Sequence, residues 1–508
     1  MREMSLPLLD RVSSDDARFC LVPSGELTSE SRIPQRLPDS GEQYRFHFDM
    51  SKCIGCKCCE VACNEQNGNP PHIRWRRVGE IEAGDYPYAQ RFHLSMGCNH
   101  CLDAACLRGC PVDAYHKDAA TGLVLHSADI CIGCQYCTWN CPYGVPQFNE
   151  ERGVVGKCDM CYGRLTDGRE PACVHACPEG AIRVEIVNIA KWKLAYAEAG
   201  NAPGMPPADT TLSTTKITVP PNIADNFRKA DEYRVRPEHP HWPLIVMLVL
   251  TQMSVGTFAV LAAFQAAGSA RIGVLAALLV GQLALAASTA HLGRPIHAYR
   301  ALKMWKRSWL SREVLCFTVF AMASSAFAAT LWLDLPGPLV ASGFTGAAGI
   351  AGIISSAYIY RVPARPAWNS WMTVAEFFLT ALLLGPLLAG CFLGPSITGP
   401  MRWLAPAAAV AQLLLQLMKL AWLLVSEEPG LRQSGLLLAG ILKRKYALRL
   451  VLLATTAILA STGASREIYA TAFGIALAAE ILGRYLFFVS VVPRNIAASF
   501  FGPAREAA

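Results

Sequence analysis

Polar and apolar residues alternate in short bursts up to about residue 242, after which long, almost unbroken apolar runs take over. Runs near 243–267, 272–290, 314–333, 338–359, 372–393, 403–425, 447–465 and 469–492 are each long enough to cross a hydrocarbon core as a helix. They predict eight spans between residues 243 and 493. Upstream, Tyr44 to Asp49 and Gly122 to His126 alternate or run apolar as short strands do, each ahead of a cysteine-rich loop. Residues 1–42 are polar and read as a peripheral lead-in. Residues 198–242, rich in Pro, Thr, Ala and Asp, read as a linker between 43–197 and the bilayer, and 494–508 as a tail.

Charge sharpens this division. The formal charge of +7 does not form a phosphate-binding stripe, because Lys and Arg gather in loops between apolar runs, and no nucleic-acid partner is expected. With eight spans, the loops and tail on the side of the hydrophilic half (294–312, 361–365, 432–449 and 494–505) carry fifteen Lys or Arg, against Arg271, Arg402 and Arg466 on the other side. The positive-inside bias predicts a cytoplasmic (inner) membrane protein whose hydrophilic half faces the cytoplasm. The absence of an export-signal pattern in residues 1–42 points the same way.

The candidate chemistry lies in sixteen of the twenty cysteines. They form four groups: Cys53, Cys56, Cys59, Cys63; Cys98, Cys101, Cys106, Cys110; Cys131, Cys134, Cys137, Cys141; and Cys158, Cys161, Cys173, Cys177. Such spacing suits a reducing compartment and iron-sulfur ligation, in which three thiolates wrap one face of a cluster and the fourth comes from another group. Zinc ribbons also use Cys-x2-Cys pairs, but seldom with a third Cys close behind and a closing Cys-Pro. Cys20 and Cys58 read as bystanders, and Cys316 and Cys391 as small packing residues. Trp139, Tyr143 and Phe148 read as packing beside the clusters.

Residues 131–161 resemble the iron-sulfur subunit of the dimethyl sulfoxide reductase family of molybdopterin oxidoreductases. The apolar half resembles that family's anchor subunit in span count, in His291-Leu-Gly-Arg-Pro295, in Ser308-Trp-Leu-Ser-Arg-Glu313 and in Pro366-Ala-Trp-Asn-Ser370. The resemblance implies two normally separate subunits fused in one chain. The fold would be an α+β ferredoxin-like double unit with four [4Fe-4S] clusters, followed by an all-α eight-helix transmembrane bundle. It further implies clusters on Cys53, Cys56, Cys59 and Cys177; on Cys158, Cys161, Cys173 and Cys63; on Cys98, Cys101, Cys106 and Cys141; and on Cys131, Cys134, Cys137 and Cys110.

By the same resemblance, a separate molybdopterin catalytic subunit does the substrate chemistry, and the chain passes electrons between it and the quinone pool. A cytoplasm-facing sulfite dehydrogenase delivering electrons to quinone is an alternative, as is a passive tether or ion-translocating module. Quinone exchange needs protons as well as electrons, so ionisable groups at the membrane edge are the candidates: His291 at the end of the second span and Glu313 opening the third, with Arg294 orienting either. The bland reading makes Glu313 a helix-terminus charge capped by Ser311. Glu480 and Arg484, four apart, are expected to pair with each other, and Glu376 and Lys419 carry no assigned role.

Overall fold

The computed structural model describes residues 31–199, 206, 210–221, 223, 226, 228–230, 235–264, 268–397, 399–462 and 465–494. Cys20, Arg505, residues 1–30 of the lead-in, residues 495–508 of the tail and parts of the linker segment lie outside them.

The hydrophilic half runs β1 (Glu42–Asp49), α1 (Cys58–Asn67), β2 (Arg77–Ala83), β3 (Gln90–Met96), α2 (Ala105–Gly109), β4 (Tyr115–Lys117), β5 (Val124–His126), α3 (Tyr136–Asn140), β6 (Gln147–Asn149), β7 (Val154–Gly156), α4 (Tyr162–Thr166), α5 (Ala172–His175), β8 (Ile182–Asn188), α6 (Ile189–Ala199), β9 (Lys216–Thr218) and β10 (Arg228–Lys229). Period-two patterning in β1 buries Tyr44, Phe46 and Phe48. The strand pairs antiparallel with β8, placing Phe46 opposite Val184, and parallel with β9. A second sheet has the order β10-β2-β3, and β4-β5 and β6-β7 are hairpins. The stretch expected as a strand from Gly122 narrows to β5, because Gly122 turns at φ +70°.

Part of the segment read as a linker belongs to this half. Thr211 Oγ1 donates to the Asp103 carbonyl at 2.8 Å, Thr214 Oγ1 to the Asn99 carbonyl at 2.6 Å, and β9 extends the first sheet. Its polar Ser and Thr side chains bond the loops around Cys98 and Cys101, an arrangement that apolar periodicity cannot reveal.

The apolar half contains α7 (Trp242–Ala262), α8 (Gly268–Thr289), α9 (Trp309–Trp332), α10 (Pro338–Tyr360), α11 (Trp371–Leu393), α12 (Leu404–Val425), α13 (Pro429–Ala439), α14 (Lys443–Thr462) and α15 (Arg466–Val489). Among the described residues, eight helices are long and apolar enough to span a membrane; α13 is a short additional helix in a loop. The third span begins at Trp309 rather than 314, so Glu313 lies inside α9 and does not open it. Its first turn is covered by the hydrophilic half, and Ser308 and Ser311 are buried there. Protein can shield polar residues that lipid cannot, so this helix outruns its apolar stretch.

Candidate functional site

The first Cys-x2-Cys pair of each group contains a residue with positive φ: Gly55 (+71°), His100 (+41°), Gly133 (+69°) and Met160 (+63°). Two of these are not glycine, and such conformations persist where the surroundings over-determine them, as at ligand clamps. The turn aims main-chain N–H groups at sulfur. Gly133 N donates to Cys131 Sγ and Met160 N to Cys158 Sγ, both at 3.4 Å; Ala114 N reaches Cys110 Sγ and Ala181 N reaches Cys177 Sγ, both at 3.3 Å. Hydrogen bonds from amides favour anionic sulfur.

The thiols stand in quartets around empty space. Cys53, Cys56, Cys59 and Cys177 line one small cavity, Cys98, Cys101, Cys106 and Cys141 a second, and Cys110, Cys131, Cys134 and Cys137 a third. In the remaining set, burial pushes the Cys63 thiol up to about 12, with Cys173 and Cys161 adding to the rise, and Cys63 acts in turn on Cys158. Burial likewise holds Cys59 and Cys141 at about 11. Thiols so placed ionise only against a compensating cation, which iron supplies. Among the described residues no three Cys, His, Asp or Glu side chains close on a single ion. Zinc would need that, with sulfurs about 2.3 Å from one metal. Thiol-ringed cavities fit the multi-atom core of an iron-sulfur cluster instead.

The Cys110 quartet meets the membrane helices. Trp139, at the end of the short helix carrying Cys137, packs on Tyr360, Trp368 and Phe488 with ring centroids 5.6, 5.5 and 6.2 Å apart. The loop before α9 binds main-chain carbonyls beneath the same quartet. Ser308 Oγ donates to Gly109 O at 2.7 Å, Met304 N to Pro111 O at 3.2 Å and Arg294 N to Ile132 O at 3.1 Å. Three glycines allow the approach: a Cβ on Gly293 would run into the Gly153 carbonyl, and one on Gly133 would run into Gly293 as well.

Two expectations change here. The Arg294 guanidinium does not orient His291 or Glu313; it donates to Ala128 O at 2.9 Å and so fastens the two halves together. Ser311 does not cap Glu313's helix; its hydroxyl donates to Pro111 O at 3.3 Å, and Ser308 occupies the N-cap position. His291 lies just beyond α8, bonded through Nδ1 to Ser288 O, and burial holds its imidazole down at about 4. Glu313 is 6 % exposed, and the Ser356 hydroxyl faces it without closing a hydrogen bond. Burial raises the Tyr136 phenol, and Glu313 adds to that shift, so the carboxylate lies within electrostatic reach of the quartet's own helix. Glu313 acts on Tyr136, and His291 on His241, which packs on Trp139; the two do not bond each other among the described residues. His241 was missed: it packs on Trp139 at 5.4 Å, and burial, with His239, Arg365 and His291 nearby, holds it at about 3. Its place immediately before the first span was the available signal.

Elsewhere in the bundle, Lys419 Nζ and Gln416 Nε2 each donate to Glu376 Oε1 at 2.9 Å. Glu480 and Arg484 do not pair directly. Thr380 stands between them, 2.6 Å from Glu480 Oε2 and 3.1 Å from Arg484 Nη2, and Arg484 also reaches Gln252 Oε1 at 2.8 Å.

A ferredoxin-type domain with thiol-ringed cavities, seated on eight apolar helices, defines a membrane-bound iron-sulfur electron carrier. Residues 89–186 match the 4Fe-4S dicluster domain family, and residues 237–489 match the DMSO reductase anchor subunit (DmsC) family. One chain of the anaerobic dimethyl sulfoxide reductase of Haemophilus influenzae is 37% identical over 190 residues, 36% of this protein and 90% of that relative. The like-named polypeptide of Escherichia coli K12 is 43% identical over 148 residues, 28% and 72% respectively. One subunit of the sulfite dehydrogenase of Allochromatium vinosum is 35% identical over 160 residues, 27% and 67%. The protein belongs to the dimethyl sulfoxide reductase family, as an iron-sulfur subunit and a membrane anchor subunit fused in one polypeptide.

Proposed function

We propose that this chain carries electrons between the quinone pool and a separate molybdopterin catalytic subunit through four [4Fe-4S] clusters, one in each thiol quartet. The contact of the Cys110 quartet's helix with the anchor, beside a buried carboxylate that has no cation partner among the described residues, carries this reading. The quartets then follow in line: Cys98 lies near Cys158 across Lys157, and Cys59 near Cys63 and Cys173. The last quartet includes exposed Cys56, with Ile54 and Val61 exposed around it, and this face receives the catalytic subunit.

Quinone chemistry moves two protons with two electrons, whereas clusters pass electrons singly. Glu313 and His291 exchange those protons at the membrane edge, and Arg294 holds the loop carrying His291 against the quartet. The loop charges support an inner-membrane location with the clusters on the cytoplasmic side.

In the purified full chain, iron should approach about sixteen atoms per polypeptide, four per cluster. Glu313→Gln and His291→Ala should lower quinol-linked turnover by about 100-fold and leave artificial-dye activity intact. Unchanged quinol kinetics in both variants would favour a passive tether or an ion-translocating module. The A. vinosum relative's name and the cytoplasmic facing favour a second reading, sulfite oxidation with electrons delivered to quinone. Oxidation assays on membranes with and without this chain separate it from sulfoxide reduction.

A further inference from the structure

Two cations are buried in the gaps between successive quartets, and neither forms an ion pair with a carboxylate among the described residues. Arg76 is 2 % exposed. Its Nη1 donates to Ser95 Oγ at 3.1 Å, and that hydroxyl lies 3.4 Å from Cys59 Sγ. Its Nη2 has no hydrogen-bond partner. Cys173, Cys59, Cys158 and Cys63 act on it most strongly, so its charge stands between the Cys53 and Cys63 quartets. Lys157 is 4 % exposed. Its Nζ lies 3.8 Å from Cys98 Sγ and donates to the carbonyls of Val124 and Cys158, the latter at 2.8 Å. Cys98, Cys106 and Cys158 act on its charge ahead of the Asp159 carboxylate, which forms no ion pair with it, and the charge stands between the Cys98 and Cys63 quartets.

Burying an unpaired cation is costly, so a fold that does it twice, each time beside thiols, implies anionic neighbours that compensate. We propose that Arg76 and Lys157 set the reduction potentials along the chain, raising those of the clusters they touch above that of the cluster nearest the membrane. The inference rests on the four-cluster reading. Transfer between neighbours oxidises one cluster as it reduces the next by one electron, with no bond made or broken. The reduced state carries one more negative charge, which a fixed cation in a low-dielectric interior favours. The Cys63 quartet lies between both cations and takes the highest potential. The Cys110 quartet has neither: no Lys or Arg is among the strongest influences on Cys110, Cys134 or Cys137. Nearby Arg307 is paired with Asp113 at 3.1 Å, and Arg294 is bound to Ala128 O.

The test is a potentiometric titration of the iron-loaded full chain followed by electron paramagnetic resonance, comparing wild type with Lys157→Met, Lys157→Arg, Arg76→Met and Ser95→Ala. Lys157→Met should lower the potentials of two clusters and Arg76→Met those of two, with one cluster lowered by both substitutions and one by neither. Lys157→Arg should keep the wild-type values. Potentials that do not move in variants holding full iron, or four potentials that move together, overturn the inference while leaving the four-cluster reading intact. Low iron in the wild type overturns that reading instead. Should the methionine variants fail to hold iron, Ser95→Ala decides: it removes the hydroxyl between Arg76 and Cys59, so one potential falls if the inference holds and none moves if it does not.

Discussion

Glu376 and Glu313 are both buried inside apolar helices, but their surroundings differ. Around Glu376, Lys419 and Gln416 of α12 both donate to the carboxylate, and Arg484 of α15 reaches the Glu376 main-chain carbonyl, so charge and hydrogen-bond capacity are matched. Around Glu313, at the seam with the iron-sulfur domain, no cation answers the carboxylate among the described residues, and its polar neighbours are hydroxyls. A buried ion with a complete set of partners is a structural part; one left without is available for chemistry. Both carboxylates lie in the first two turns of helices that start on the iron-sulfur side, so the supply of partners, not depth, distinguishes them.

Breaking the matched side should have the largest effect. Lys419→Met removes the ion-pair partner of buried Glu376, a loss of about 3–5 kcal/mol, and thermal unfolding in detergent should show it as a large drop. Glu313→Gln removes no partner, so the same melt should move by less than about 1 kcal/mol even where quinol turnover collapses. A melt as depressed as that of Lys419→Met would erase the distinction. Gly293→Val strikes the seam. Overpacking against Gly153 and Gly133 should cost about 1–3 kcal/mol and slow re-reduction of the clusters by quinol in stopped-flow, with dye-driven reduction unchanged. The smallest effect concerns pH. His291 and His241 are held near 4 and 3, below the unfolded value near 6.5, so the unfolded polypeptide takes up more protons in that window. Their contribution is fully present above about 6.5 and is lost as pH falls toward 4. Replacing His241 with Gln should flatten that decline in a pH series of melting temperatures.

How far these features were legible in the sequence follows from what fixes each of them. Spacing along the chain marks the cysteine groups and the apolar runs, because a cluster loop and a membrane span are both local constraints. The seam is not local. Ser308, Ser311 and Arg294 bond to carbonyls, and a carbonyl leaves no mark on the residue that bears it. The start of α9 was misplaced for the same reason, since its first turn is sheltered by protein distant in sequence. Glu480 and Arg484 looked like a helical pair by spacing, yet Thr380 from another helix stands between them. Arg76 and Lys157 gave no periodic signal, and only the packing of separate loops reveals their burial.

The docking of anchor to electron carrier through Gly109, Pro111, Ala128 and Ile132 carbonyls has an evolutionary corollary. Where the joint is read from the peptide backbone, a side chain can change without a matching change in the grasping loop, whereas Trp139, Asp113, Gly133 and Gly153, which also meet the anchor, are held to it. The same grip serves one continuous polypeptide or two separately encoded ones, so gene fusion or fission at this boundary needs no redesign of the contact.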